Sequence, residues 1–589
     1  MDHTIQPAKP AVVGWGSVNA RWADADTWSA SRALADGLYR IGIRQAFGVL
    51  GGGIAPFSAG MAASPLQFYH FRHEAGAGFA AIEAQFASET PSAVIVTTGP
   101  GIANVLNPIW AARKDGAKIL LVSGFTSRMQ HKRGAVQETS PETMPSELVR
   151  PGSLFHDVLI PESPEELPPF LERLHRAWAG PQGWVAHLGL PLSLQTQIVD
   201  GPLRLSLGWQ VSRPAPSEQI LDECLDALRT PNALIWVGFG SRHAAESLRA
   251  FAELAQLPVI VSPRAKGVFP ERHPLFAGVS GAGGSALVAQ RFEKQRPEAL
   301  LVVGTRLGEV TSFLNNRLTP SKHLFHVDID PSAFGSAFPH VPGTGIIADS
   351  DVFFRQLSIR ANANPSWIAS RRNIPSQILD SQPKSTSLMP QNERAIRPDY
   401  LMQVIQRTMI EDFDSIIMSE SGTSFTWCNS HLKFDSPGRY RTSAAWGSMG
   451  HFTTGCVGAC LASNRRIVSV VGDGAMLMNN EINTAVQYET NPIWIVLNDA
   501  QLGLNEHGMT ALGMKPVETQ MPRTDFVSFA RSQGADGICV KHETDLEDAL
   551  LEALASGVPF VVDVQIDRTI PSPVVADRIK SLNRQATNR

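Results

Sequence analysis

The sequence predicts an α/β protein of three doubly wound, parallel-sheet domains. Three observations carry this. At 589 residues the chain exceeds the size at which a single core stops growing, roughly 250–300 residues. Short apolar, β-branched runs recur between helical stretches, among them Ala233 to Val237, Ala299 to Val303, Arg466 to Gly472 and Pro492 to Leu497. Such runs read as buried parallel strands. Two of them end in small and oxygen-bearing residues, Gly472-Asp473-Gly474-Ala475 and Asn498-Asp499-Ala500-Gln501. Ligands of open α/β sheets bind at that position, at the carboxyl ends of the strands.

Taken in order, residues 1–27 form a polar N-terminal extension with Trp15 and Trp22 and no assigned purpose. Residues 28–198 form the first domain, with a helix near 28–41 and a strand near 45–50. Gly51-Gly52-Gly53 follows; without a G-x-G-x-x-G pattern it reads as a close turn. Phe71-Arg72-His73-Glu74-Ala75-Gly76-Ala77-Gly78 opens a helical run to Phe86. The strand Ser92 to Val96 leads into Thr97-Thr98-Gly99-Pro100-Gly101-Ile102-Ala103-Asn104. Pro202 to Ser217 reads as a linker. Residues 218–360 are a second domain, in which Gly304-Thr305-Arg306-Leu307 and His326-Val327-Asp328-Ile329-Asp330 are read as loop-holding residues of a Rossmann-like unit. Residues 361–394 are polar and read as a second linker. Residues 395–570 are the third domain, and 571–589 a C-terminal tail.

Composition narrows the class. Hydrophobic residues make up 43% and charged residues 18%, as expected of a soluble globular protein. A net charge of −4 gives no basic surface for nucleic acid. The five cysteines, Cys224, Cys428, Cys456, Cys460 and Cys539, have neither CxxC nor zinc spacing. No apolar run reaches the ~18 residues of a membrane helix, and the polar N-terminus is unlike a signal peptide. A cytoplasmic location is the resulting expectation.

The chemistry is concentrated after two strands. The glycines of Gly472-Asp473-Gly474 permit a tight turn and close backbone approach to a ligand. Asp473 offers a hard carboxylate oxygen suited to Mg²⁺ or Ca²⁺. One helix later, Asn498 and Asp499 bring further oxygens to the end of the next strand. An isolated Gly-Asp-Gly is an ordinary loop, but strand, Gly-Asp-Gly, helix, strand and Asn-Asp together describe a diphosphate held by one divalent cation.

The stretch from Gly472 to Gly503 resembles the thiamine-diphosphate signature of the acetolactate synthase-like family, which includes acetohydroxyacid synthases and pyruvate decarboxylases. The resemblance implies a pyrimidine-binding first domain, a central Rossmann-like domain and a diphosphate-binding third domain. It implies Asp473, Asp499 and the backbone carbonyl of Gln501 as Mg²⁺ ligands. The family usually has Asn where this chain has Asp499, so Asn498 stays open as the ligand at that position. Glu74, in an Arg-His-Glu sequence, is implied to be the catalytic carboxyl that meets the cofactor's aminopyrimidine. A carboxyl shielded from water suits that task, because desolvation keeps its proton available.

Further matches fill in the site. Thr97 to Asn104 resembles the Gly-Pro-Gly turn, placing Pro100 and Asn104 at the cofactor. Gly134-Ala135-Val136-Gln137-Glu138 resembles a Gly-x-Phe-Gln-Glu loop whose Gln faces substrate. Ala445-Trp446-Gly447-Ser448-Met449-Gly450 resembles Gly-Leu-Gly-Thr-Met-Gly, whose Met packs beneath a bent cofactor, a task that suits a soft, adaptable side chain. Gly422, Thr423, Gly447, Gly472, Gly474, Ala475, Leu502 and Gly503 complete the implied cofactor lining. Flavin (FAD) stays open.

The implied reaction is loss of carbon dioxide from a 2-oxo acid, with the acyl group passing to a second carbonyl (carboligation) or to a proton (aldehyde release). A non-catalytic homologue should have lost Glu74 or Asp473, and both are present. The adjacent His-His pair of pyruvate decarboxylases is absent after the Gly-Pro-Gly turn, where only His131 stands; this favours carboligation. Leu504-Asn505-Glu506-His507-Gly508 and His451-Phe452 depart from the synthases near the acceptor side, which implies a changed acceptor. His507 is a candidate proton shuttle there, with a solvent-facing loop His as the alternative. The family's active sites lie between subunits, so a homodimer or homotetramer is expected, with a 2-oxo acid and a carbonyl acceptor as the small-molecule partners.

Overall fold

The computed structural model describes residues 27–372, 388–391, 395–443 and 445–573. The N-terminal extension with Trp15 and Trp22, most of the second linker and the tail beyond Pro573 lie outside the described residues.

The described chain is an α/β structure of three six-stranded sheets, each flanked by helices. The first contains β1 (Gln45–Val49), β2 (Gln67–His70), β3 (Ser92–Val96), β4 (Lys118–Phe125), β5 (Asp157–Leu159) and β6 (Trp184–Pro191), in the order β2-β1-β3-β4-β6-β5. The second contains β7 (Ala233–Val237), β8 (Val259–Val261), β9 (Phe276–Val279), β10 (Ala299–Val303), β11 (His323–Asp328) and β12 (Thr344–Ile347), in the order β12-β11-β10-β7-β8-β9. The third contains β13 (Ile416–Ser419), β14 (Tyr440–Thr442), β15 (Ile467–Gly472), β16 (Ile493–Leu497), β17 (Asp536–Val540) and β18 (Phe560–Val564), in the order β14-β13-β15-β16-β18-β17. Every strand pairing is parallel. The all-apolar strands β7, β10 and β16 are buried along their whole length, as strands covered by helices on both faces must be. The first and third sheets share one strand order, each reversing between its first and third strands.

The two outer units pack directly on each other. The Glu74–Ser88 helix lies against the His451–Ala462 helix. Both are rich in Ala and Gly, and the contact requires it. A Cβ on Gly458 would stand 2.1 Å from the carbonyl oxygen of Ala80, and one on Gly455 would stand 2.7 Å from Glu83 Cγ. Glycine inside a helix costs about 1 kcal/mol relative to alanine. Here it allows backbone to approach backbone.

This seam also holds a buried ion pair. Arg441 Nε and Nη2 donate to the two carboxylate oxygens of Glu83, each at 2.8 Å, and His451 Nε2 lies 3.0 Å from Glu83 Oε1. Burial alone would push the Glu83 carboxyl up. The charge and hydrogen bonds of Arg441, with those of His451, outweigh it and hold Glu83 at about 2.

Residues 203–217 carry no helix or strand, as a linker would. The polar run from 361 is different: it contains a helix, Pro365–Arg372. Trp367 is fully buried in the central core, with its Nε1 donating to the Leu225 carbonyl. Arg371 donates to the carbonyls of Ala255 and Thr230. Two residues in a polar stretch thus dock a helix that composition assigns to a linker.

Candidate active site

The oxygen-bearing residues gather at the carboxyl edge of the third sheet, where its strand order reverses between β13 and β15. Beyond β13, Gly422 (φ +110°) starts the Thr423–His431 helix. Beyond β15, Asp473 bridges two strand ends. Its Oδ1 accepts the Gly474 N–H and its Oδ2 accepts the Ala500 N–H, both at 2.7 Å. Gln501 Nε2 donates to Asp499 Oδ2 at 3.2 Å. Both carboxylates are buried. Burial, and then the neighbouring charge of Asp499, pushes Asp473 up to about 7. Burial pushes Asp499 up to about 6 against the hydrogen bonds from Gln501.

The space around them is shaped by close contacts. A Cβ on Gly474 would stand 3.0 Å from Leu502 Cδ2 and 3.5 Å from Met449 Cε. A Cβ on Gly503 would stand 2.9 Å from Asp499 Oδ2 and 3.3 Å from Thr423 Cγ2. By contrast, nothing lies within 4 Å of the corresponding position on Gly472. A floor of Met449 and Leu502, an open glycine and two buried carboxylates suit a phosphate-bearing group and a hard cation. Among the described residues no backbone N–H donates to the Gln501 carbonyl, which leaves a third oxygen available. Asn498 is committed elsewhere: its Nδ2 donates to Thr524 O and Asp563 Oδ1, and its Oδ1 accepts from Arg523.

A second group gathers on the first sheet. Glu74 is buried at the start of its helix, and Asn104 Nδ2 donates to its Oε2 at 3.0 Å. Gly99 (φ +61°) opens the Pro100–Asp115 helix, which carries Asn104. Thr98 Oγ1 donates to Gln137 Oε1 at 3.1 Å, and Gln137 sits in the left-handed region at φ +53°. No hydrogen bond or ion pair among the described residues joins this group to Asp473 or Asp499. His507, on the Gly503–Ala511 helix, places its Nε2 3.1 Å from the Arg568 carbonyl; its Nδ1 is buried without a partner.

Three residues hold the site together through contacts between segments distant in the chain. Glu481 accepts the backbone N–H groups of Arg72 (3.1 Å) and His73 (3.2 Å), fixing the turn before Glu74 from the third unit. Burial raises its carboxyl to about 7, against hydrogen bonds from Thr484, Arg72 and His73. Asn107 Oδ1 accepts from Trp446 Nε1 (2.8 Å) and Ser448 Oγ (2.6 Å), while Trp110 stacks on Trp446 with centroids 5.5 Å apart. Glu420 is fully buried and accepts the N–H groups of Phe452 and Thr453, capping the helix that follows Met449. Each contact joins residues far apart in the chain, so only the fold reveals it.

Three family models match the chain in order. They are the thiamine pyrophosphate enzyme N-terminal TPP binding domain over 29–144, the central domain over 222–357 and the C-terminal TPP binding domain over 420–564. The chain is 27% identical to a putative thiamine pyrophosphate-containing protein, YdaP, of Bacillus subtilis, covering 92% of this chain and 93% of that one. It is 25% identical to the chloroplastic acetolactate synthase 1 of Zea mays (92% of this chain, 86% of that one). It is 26% identical to the large subunit of acetolactate synthase isozyme 1 of Escherichia coli (89% and 92%).

Proposed function

The chain belongs to the thiamine-diphosphate-dependent enzymes of the acetolactate synthase-like family, and on that footing we propose that it decarboxylates a 2-oxo acid and joins the acyl group to a second carbonyl. The observation that carries this reading is the pair of buried carboxylates, Asp473 and Asp499, beside open Gly472 at the sheet's switch point. Asp473, Asp499 and the Gln501 carbonyl would hold Mg²⁺; Asn498 would not, because its side chain is spent on Arg523, Asp563 and Thr524. Gly422, Thr423, Gly447, Gly472, Gly474, Ala475, Leu502 and Gly503 would line the diphosphate and ring, with Met449 beneath.

Bound thiamine diphosphate supplies the electron sink for carbon dioxide loss. This chain's residues supply the rest. Glu74 holds the exchangeable proton; Asn104 donates to Oε2, which leaves Oε1 as the oxygen that carries it. Pro100 starts the helix that positions Asn104. Gln137, pinned by Thr98, orients substrate. His507, with Nε2 turned to the Arg568 carbonyl, offers only Nδ1 for proton transfer to the acceptor. The reading needs no flavin, and the visible absorbance of purified protein reports whether one is bound.

A self-partner belongs to this reading. The Glu74 group and the Asp473 group are each assembled, yet no hydrogen bond or ion pair among the described residues joins them. Large apolar side chains stand exposed in the segments that carry both groups: Met129 and Val136 ahead of Gln137, Trp446 ahead of Met449, and Leu477 and Met478 after Asp473. Exposed apolar clusters of this kind mark interaction surfaces. A second copy would cover them and join the two halves.

The test is mass spectrometry of products from protein supplied with thiamine diphosphate, Mg²⁺ and pyruvate, alone and with aldehyde and keto-acid acceptors. The expected product is a hydroxyketone that disappears in Glu74→Gln. Free aldehyde alone would move the reading to a simple decarboxylase. No product from a variety of donors, with thiamine diphosphate still bound, would overturn it.

A further inference from the structure

A cavity of about 320 Å³ lies at the seam between the central and third units, away from the residues discussed so far. One wall is a single face of the Ala286–Lys294 helix, presenting Leu287, Arg291 and Lys294. The other is built from Lys266 and Glu271 of the central unit and from the chain Asn429 to Lys433 of the third. The seam is hydrogen-bonded: Asn429 Nδ2 donates to the Ala282 carbonyl and Ser430 Oγ to the Gly283 carbonyl.

The charge lining this cavity is one-sided. Lys266 Nζ donates to Glu271 Oε2 at 2.8 Å, both side chains almost fully buried, so this pair is neutral as a unit. Arg291, Lys294 and Lys433 remain. None has a carboxylate partner among the described residues, and Glu271 is the only acid in the lining. Arg291 is half-buried, and its Nε is buried without any hydrogen bond. A buried donor left without an acceptor costs about 1–3 kcal/mol. Burial also pushes the Arg291 guanidinium down from its ordinary range. Three cations around one concavity repel one another unless an anion sits between them. Phe276, Leu287 and Leu432 supply apolar wall beside them.

We propose that this cavity is a binding site for a small organic dianion, its charge held by Arg291, Lys294 and Lys433 and its apolar body resting on Phe276, Leu287 and Leu432. The chemistry admits a phosphate monoester or a dicarboxylate. The site shares no residue with the cofactor lining, so its existence does not depend on the reaction proposed above.

Calorimetric titration distinguishes the sources and tests the site. The protein is saturated beforehand with thiamine diphosphate and Mg²⁺, so that the diphosphate site is filled. It is then titrated with phenyl phosphate and, separately, with phthalate. Saturable one-to-one binding of either is expected, and the tighter of the two identifies the natural class. Affinity should fall roughly tenfold in Arg291→Gln and in Lys433→Gln, the loss expected for one charge-assisted hydrogen bond. Lys433 is exposed, so its variant keeps the test valid even if Arg291→Gln disturbs packing. Absence of saturable binding for both probes, or binding that neither substitution weakens, overturns the proposal.

Discussion

At the scale of single residues, the buried carboxylates divide into paired and unpaired. Asp473 and Asp499 are raised by burial, which the charge of Arg523 only partly offsets, whereas Glu83 is held low by Arg441 and His451. Two expectations follow. Asp499→Asn should weaken Mg²⁺ binding on the order of tenfold, because it removes one anionic oxygen from a hard-cation site. Asn498→Asp should do less, since that side chain faces Arg523 and Thr524; Mn²⁺ titration by electron paramagnetic resonance reads both. Glu83 contributes stability that is fully present above the ordinary carboxylate range and is lost as pH falls from about 4.5 through about 2. The denaturant midpoint should therefore drop across that acid window. Glu83→Gln should flatten the drop and destabilise at neutral pH by about 3–5 kcal/mol, because it leaves Arg441 buried and uncompensated.

At the scale of elements, how much the sequence disclosed depended on how local the cause was. The strand runs at β7, β10, β15 and β16, and the glycine turns after them, are legible because burial and chain reversal act on neighbouring residues. The helix Pro365–Arg372 was hidden in a polar stretch because its anchors, Trp367 and Arg371, find partners more than 100 residues away. Asp473 and Glu74 carry recognisable patterns; the contacts of Glu481, Asn107 and Glu420 do not, since a Glu that clamps a distant backbone looks like any other Glu. The pairing of the Glu74–Ser88 and His451–Ala462 helices is likewise a tertiary fact written in glycines. Gly458→Ala should cost about 3 kcal/mol or more in urea denaturation, because the new methyl meets the Ala80 carbonyl rather than a movable side chain. Gly116→Ala, with φ +74° but nothing within 4 Å, should cost less and separates backbone strain from collision.

At the scale of the whole molecule, the Glu74 and Asp473 groups, which no hydrogen bond or ion pair among the described residues joins, bear on assembly. If one chain supplies the first group and its partner the second, two disabled variants can repair each other. Glu74→Gln and Asp473→Asn, each inactive alone, should regain activity when co-refolded in equal amounts. Random pairing into dimers would restore about a quarter of the parent activity, since half of the dimers keep one of their two sites whole. Persistent inactivity of the mixture, with dimers present by light scattering, would place each site within one chain.

The close approach at Gly455 and Gly458 bears on how such a chain can be recombined. The central unit is entered through residues 203–217, which carry no helix or strand, yet it is stitched to the third unit by Asn429 and Ser430 on the Ala282 and Gly283 carbonyls and by Arg272 on Asp435. The outer units are joined to each other as closely. Their shared seam is cut to one pair of helices, backbone against backbone, with Glu83 from one side neutralised by Arg441 from the other. A chimera that takes its first unit from one parent and its third from another must match this seam atom for atom, or it inherits a collision and an orphaned charge. The first and third units, far apart in sequence, are therefore a single heritable piece.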